Sequence, residues 1–340
     1  MRKYALRLIV AAGVGTLLGS AVLAARSQSG AGGAAPHVAI AKAAAREDHV
    51  GLFKALCVPP PPLPVTGAPA QAAAQPSGPP PRAQWYAPPV KVFDNLYFLG
   101  QTEYTAWAVV TSDGIIVIDP LFDYSVEEEV VNGLTKLGLD PKAIKYVVIS
   151  HAHSDHVGGA RLLQDRFGAR VVMSAADWDL LATDPGAWPK AKRDVVATDG
   201  QRLTLGDTTL MLHFTPGHTL GTISTIIPLK DGGRSHVAAL WGGTAFNWRS
   251  GSPRYITPDR PAQFWYETYA NGARRFREIA AKAGADVLLS NHPNYDGTKA
   301  HLATLARRKA GEPHPYVVGS DSVGRFLTVA EECAKAGPLW

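Results

Sequence analysis

Three histidines and an aspartate, His151, His153, Asp155 and His156, fall within six residues. Imidazole nitrogen and carboxylate oxygen are ligand types that suit Zn2+ better than soft or purely hard metals. The residues before the cluster, Tyr146-Val147-Val148-Ile149-Ser150, form an apolar run of strand type, and Gly158-Gly159 opens a helix just after it. Alternate residues of an extended chain share a face, so His151 and His153 point the same way. Asp155 and His156 lie on the turn into the helix and can face the other side of one pocket. Buried polar groups without partners are costly, so four of them at a strand end call for a reason. The competing reading, a solvated histidine-rich turn, is disfavoured by the strand-to-glycine-to-helix context.

The elements that must position this cluster are short apolar runs alternating with helical patterns from about Val90 onward. Runs at 96–99, 107–111, 115–119, 146–149, 170–173, 209–214, 223–228, 237–241 and 287–289 are rich in Val, Ile and aromatics and bounded by Gly, Asp or Pro, which predicts strands. Asp113-Gly114 between two of them predicts a hairpin turn. Helices are expected over 126–137, 158–167, 175–183, 261–283, 299–310 and 323–335. Strands come in groups with helices between the groups, which implies an α/β domain of two sheets covered by helices, four layers in all.

Ahead of this domain, residues 37–57 predict one helix, rich in Ala, Lys and Leu. Residues 58–89 hold 12 of the 26 prolines and predict an extended linker or strap. The chain starts with Arg2, Lys3 and Arg7, then an apolar run from Leu8 to Ala24, which is the pattern of a signal peptide over 1–24 and places the mature protein in the periplasm or outside the cell. In such a compartment Cys57 and Cys333, the two cysteines, are expected to pair. With 46% hydrophobic and 19% charged residues the chain is globular in composition. The formal charge of +5 falls to +2 without the three basic residues at the start, which argues against a nucleic-acid partner. The expected partner is a small-molecule substrate, with no stable membrane insertion after signal cleavage and a monomeric state.

The pattern His-x-His-x-Asp-His after an apolar strand resembles the signature of the metallo-β-lactamase superfamily. Further matches follow in order along roughly residues 90–310: Ile116-Val117-Ile118-Asp119, then Thr215-Pro216-Gly217-His218-Thr219, then Ser290-Asn291-His292-Pro293. The resemblance implies a four-layer αββα sandwich with metals at the edge where the sheets meet. It implies one zinc held by His151, His153 and His218, a second held by Asp155, His156 and His292, and a hydroxide between them. His37, His49, His213, His236, His301 and His314 lack ligand spacing and are expected to have structural roles, His301 and His314 on a surface helix and loop.

Many hydrolases of that superfamily carry a bridging Asp in a Gly-Asp motif after a strand. The corresponding stretch here is Trp241-Gly242-Gly243-Thr244-Ala245-Phe246, without an acid. Together with His151 and His156 this is most similar to subclass B3 of the β-lactamases. The chain departs from that subclass at Leu220-Gly221-Thr222, at Gly243-Thr244-Ala245-Phe246, and at the Asp119-Pro120-Leu121-Phe122 turn, where Asp-Gly-Gly is usual. The resemblance implies zinc-dependent opening of penicillins, cephalosporins or carbapenems, with Asp155 holding the second metal and orienting the nucleophile. The alternative is a di-zinc hydrolase of another ester, lactone or amide with weak β-lactamase activity. Thr222, Ser224, Thr244, Asn247 and Arg254 are candidates to bind a substrate carboxylate, and Trp188 in loop 184–193 is a candidate cover for an apolar substrate group.

Overall fold

The computed structural model describes residues 21–59, 78–252 and 254–340, with side chains of the first helix from Gly33 onward. Residues 1–20 of the expected export segment and residues 60–77 of the Pro/Ala-rich stretch lie outside the described residues.

Seven strands form the first sheet in chain order: β1 (Val90–Lys91), β2 (Leu96–Phe98), β3 (Trp107–Thr111), β4 (Gly114–Ile118), β5 (Ile144–Val148), β6 (Arg170–Ser174) and β7 (Val195–Ala197). β1 to β4 pair antiparallel and β4 to β7 parallel. The second sheet contains β8 (Gln201–Leu205), β9 (Thr208–Phe214), β10 (Ile223–Asp231), β11 (Arg234–Trp241) and β12 (Val287–Ser290), in the spatial order β12-β11-β10-β9-β8. Only the β11–β12 pair in it is parallel.

The helices are α1 (Ala21–Ala45), α2 (Val50–Leu56), α3 (Asn132–Lys136, preceded by a π turn over Glu127–Val131), α4 (Ser154–Val157), α5 (Ala160–Phe167), α6 (Ala175–Ala182), α7 (Ala262–Ala283), α8 (Thr298–Leu305) and α9 (Ser320–Ala336). Between the sheets, Leu96, Trp107, Ile116 and Val148 pack with Leu210, Ile227, Leu240 and Leu289. The opposite face of the first sheet, with Val117, Val147 and Val171, is covered by Leu134 of α3, Leu163 of α5 and Trp178 of α6. The opposite face of the second, with Ala239, Trp241 and Leu288, is covered by Tyr269 and Phe276 of α7 and by Phe326 of α9. This is the expected αββα sandwich. Strands such as β4 read as unbroken apolar runs because both of their faces are buried.

Local departures from the sequence expectations have local causes. Residues 37–57 are two helices, broken where Arg46 takes a left-handed φ of 43°. The β3–β4 hairpin turns on Ser112-Asp113, because Thr111 pairs with Gly114. β1, β7 and β8 were not expected: β1 and β7 are two and three residues long, and β8 carries mostly polar residues at a sheet edge. His314 is buried, stacked on Phe93 at 4.0 Å between ring centres, rather than on a surface loop.

α1 and α2 lie against α9. Cys57 is bonded to Cys333, His49 Nε2 sits 2.9 Å from the Ser322 carbonyl oxygen, and Arg325 donates to both oxygens of Asp48 at 2.6–2.7 Å.

Candidate metal centre

The donor residues all leave their strands at one edge of the sandwich. β5 ends at Val148 and the chain turns through His151 and His153 into α4, which carries Asp155 and His156. His218 follows β9, and His292 follows β12. Asp119, at the end of β4, takes a left-handed φ of 55° and accepts from the Ser150 backbone N–H at 2.7 Å. That bond fixes where the histidine turn starts. Leu121 also has a positive φ, 63°, at a position where the resembling family has glycine, and its side chain is fully buried. Gly159 admits no larger residue, since a Cβ there would collide with the Pro120 carbonyl and Val126.

The six residues converge as two triads. His151 Nε2 lies 3.0 Å and His153 Nδ1 3.1 Å from His218 Nε2. His156 Nε2 lies 3.0 Å from Asp155 Oδ2 and 3.3 Å from His292 Nε2, which is itself 3.7 Å from Asp155. Within the first triad the ligand atoms lie within 4.8 Å of one another. The outward nitrogens explain why the inward ones are free to bind. His151 Nδ1 lies 2.7 Å from the Gly242 carbonyl, His218 Nδ1 2.7 Å from the Ala245 carbonyl and His292 Nδ1 3.1 Å from the Glu103 carbonyl. Each therefore donates outward and turns the Nε2 lone pair into the cluster. His156 Nδ1 is set 3.2 Å from Asp119 Oδ2.

The electrostatics fit a cation. Burial and the neighbouring imidazoles hold His151 and His218 well below the usual histidine range, so both rings are neutral, the form that can bind a metal. Burial also lowers His153 and His292, each to about 4. Burial alone would raise Asp155, but His156, His292 and His153 keep it ionised well below the usual carboxylate range. Burial likewise opposes a charge on His156, yet Asp155 and Asp119 push it upward. Without a metal, that pull of two carboxylates is answered by a proton; a divalent ion among these six donors answers it instead. The donor set, mixed imidazole and carboxylate, fits zinc.

The stretch 242–247 lies beside the first triad. A Cβ on Gly243 would meet the Cβ of His218 at 2.5 Å, so an aspartate has no room there. Thr244 is buried, with its hydroxyl 3.5 Å from Ser290 Oγ. Neither position places a carboxylate between the triads.

The substrate-contact expectations need correction. Thr222 and Ser224 are fully buried. Thr222 Oγ1 accepts from the Thr219 N–H at 3.0 Å, and Ser224 Oγ accepts from the Gly242 N–H at 3.0 Å while sharing a hydrogen bond with Thr215 Oγ1. These hydroxyls, with Thr244, shape the ligand loops from beneath and do not line the cleft. Asn247 does line it, with Nδ2 3.2 Å from His218 Nε2, and so does Arg254. The cleft above the triads has a volume of about 510 Å3 and is walled by Asp184, Asn247, Arg254, Tyr255 and Tyr295. Trp188 lies outside that wall, in a neighbouring aromatic cleft with Trp85, Tyr104, Phe122 and Tyr124. Tyr104 joins the two, its ring centre 5.2 Å from that of His292.

Sequence reasoning missed two residues. Tyr255 reaches His153 Nε2 with its hydroxyl at 2.7 Å. Asp177, fully buried on α6, ties the two ligand loops together: it accepts from the Ala152 N–H at 2.9 Å, the Thr219 hydroxyl at 2.9 Å and the Gly221 N–H at 3.0 Å. Burial raises its carboxyl to about 6 against the pull of these bonds. The signal in the sequence was faint, an acid at the third position of a helix capped by Ser174, where an exposed N-terminal charge is the ordinary reading.

Comparison with known proteins agrees with this geometry. Residues 99–231 match the metallo-beta-lactamase superfamily. Among solved structures, a subclass B3 metallo-beta-lactamase of Bradyrhizobium japonicum is 29% identical, with a TM-score of 0.60, covering 73% of this chain and 93% of that one. The native FEZ-1 metallo-beta-lactamase from Legionella gormanii is 26% identical, with a TM-score of 0.60, covering 71% and 91%. Among curated proteins, a hydroxyacylglutathione hydrolase of Acidiphilium cryptum is 29% identical over 229 residues, covering 67% of this chain and 82% of that protein. Another hydroxyacylglutathione hydrolase, of Pseudomonas syringae pv. syringae, is 30% identical over 151 residues, 54% of its length. With the sandwich and its histidine–aspartate edge in view, these likenesses show a metallo-beta-lactamase superfamily domain at residues 99–231.

Proposed function

We propose that the protein is an exported, monomeric, zinc-dependent hydrolase that opens the lactam ring of penicillins, cephalosporins or carbapenems. The observation that carries this reading is the pair of converging triads with no acid at Gly243 or Thr244 between them. The similarity to subclass B3 metallo-beta-lactamases supports it. His151, His153 and His218 hold one zinc, and Asp155, His156 and His292 hold a second. A zinc ion held there would supply a water of near-neutral pKa and a Lewis acid for a carbonyl oxygen. Asp155, kept ionised by the imidazoles around it, orients the attacking water. Tyr255 and Asn247, each in contact with a histidine of the first triad, are placed to meet the carbonyl end of a substrate.

A second reading, hydrolysis of a thioester or another ester, is favoured by the curated relatives named hydroxyacylglutathione hydrolases. Steady-state kinetics separate the two, with one drug of each class set beside a lactone and a hydroxyacyl thioester, with and without chelator. The lactamase reading expects chelator-sensitive lactam turnover that is untouched by serine-directed inhibitors. Turnover of the lactone or thioester orders of magnitude faster than every lactam would replace it with the second reading.

A further inference from the structure

Arg254 stands apart in the cleft. Among the described residues that line it, Arg254 is the one Lys or Arg, while Asp155 and Asp184 supply negative charge. Its side chain is one-third exposed, and its guanidinium makes one ion pair, Nη1 to Asp184 Oδ2 at 3.0 Å. A guanidinium has five N–H donors in a planar fork, so most of its capacity is without an acceptor among the described residues. Its backbone N–H donates to Ser252 Oγ at 3.3 Å, the next residue, Tyr255, reaches His153 with its hydroxyl, and Arg254 lines the same cleft as His153 and His218.

Asp184 is built to give Arg254 up. Its Oδ1 accepts from the Gly186 N–H at 2.8 Å, and Lys190 Nζ lies 3.9 Å away. Removing the arginine leaves that carboxylate hydrogen-bonded and near a second cation, so no unpaired buried charge results. The hydroxyls expected to bind an anion, Thr222, Ser224 and Thr244, are buried beneath the loops, and the other cleft donors outside the triads, Ser154, Asn247, Ser250, Ser252, Tyr255 and Tyr295, are all neutral.

We propose that Arg254 is the anchor for a substrate carboxylate, taken over from Asp184 by exchange, so that this site selects anionic over neutral substrates. The inference rests on the hydrolase reading above and names the substrate class of that same site. Bidentate arginine–carboxylate pairing supplies both affinity and orientation, aiming the scissile carbonyl at the triads.

The test compares a substrate acid with its methyl ester on the full chain loaded with zinc, using a cephalosporin and, in parallel, a hydroxyacylglutathione and its carboxyl esters. For the wild type, the acid should have a KM roughly ten- to a hundred-fold below its ester, the span expected for hydrogen bonds to a charged group. Arg254→Ala should raise KM for the acid by that factor, leave KM for the ester nearly unchanged and keep kcat within a few-fold. Arg254→Lys should recover part of the loss, and Asp184→Asn should lower KM for the acid only. Turnover with no acid–ester difference, or an Arg254→Ala effect equal on both, overturns the anchor while leaving the hydrolase reading intact. A chain that turns over neither family of substrates overturns the hydrolase reading and the anchor with it.

Discussion

The metal floor and the N-terminal clasp are both joined across long stretches of sequence, by different forces. At the floor, imidazoles up to 136 residues apart meet through directional polar bonds: carbonyls of Gly242, Ala245 and Glu103 orient the rings, and Asp177 ties loop 151–156 to loop 218–222. At the clasp, α1 and α2 are held on α9 by apolar packing of Ala41, Leu52 and Phe326 and by the Cys57–Cys333 bond, which spans 276 residues. Ahead of β1, the segment 78–89 is tied to the domain by Glu129, whose carboxyl accepts from the Ala87 N–H at 3.1 Å. The floor spends its bonds on where a lone pair points. The clasp spends its bonds on keeping a segment docked. Changes at the floor should therefore remove chemistry before stability, and changes at the clasp the reverse.

The sharpest break between the two is His218→Ala. It should abolish hydrolysis while the apo-protein melts within a few degrees of wild type, since the ring borders the cleft and carries no core strand. Activity within a few-fold of wild type would remove His218 from the metal set. Reduction of Cys57–Cys333, or Cys57→Ser with Cys333→Ser, should act oppositely. Constraining so long a loop is worth roughly 5 kcal/mol in the chain-entropy model, so melting temperature should drop sharply while kcat, measured well below it, stays put. Free thiols titrating in the denatured, unreduced protein would show that the clasp is not covalent.

Asp177 tests whether floor and fold can be separated at all. Asp177→Ala strips three buried donors of their acceptor and should destabilise by about 3 kcal/mol. By loosening both ligand loops it should also weaken zinc binding roughly ten- to a hundred-fold, read by competition with a chromophoric chelator. Stability loss with unchanged zinc affinity would reduce Asp177 to a structural residue. Glu129 offers the mildest test. Burial raises its carboxyl to about 8 against an ordinary 4.5. The folded chain then keeps a proton that the unfolded chain has lost between pH 4.5 and 8, so stability falls as pH rises through that window, by up to about 1.4 kcal/mol per pH unit. Glu129→Gln should flatten this slope without altering kcat; an unchanged slope of denaturation midpoint against pH would show that the group titrates normally.

The residues of the two triads were readable because their spacing is local. The His-x-His-x-Asp-His run sits on one turn, and His218 and His292 each follow an apolar strand in a recognisable short motif. The long apolar runs gave the central strands, whose burial on both faces leaves little ambiguity. Short or polar edge strands such as β7 and β8 escaped, because their pairing depends on neighbours rather than on their own composition. Thr222, Ser224 and Thr244 were misplaced for the same reason: a hydroxyl near a ligand histidine in sequence can point into the cleft or under the loop, and periodicity does not decide which.

Local sequence thus determined the donor types, their order and the sandwich that presents them, since ligand chemistry and strand period are properties of a few adjacent residues. Tertiary structure alone decided the second set of relationships. It set which carbonyl orients each imidazole, brought Asp177 beneath both ligand loops, put Tyr255 against His153, and left Arg254 paired with Asp184 above the metal floor. Those contacts join residues 25 to 189 positions apart, and a side chain's partner at such separations is fixed by how the layers pack, which no short window of sequence contains.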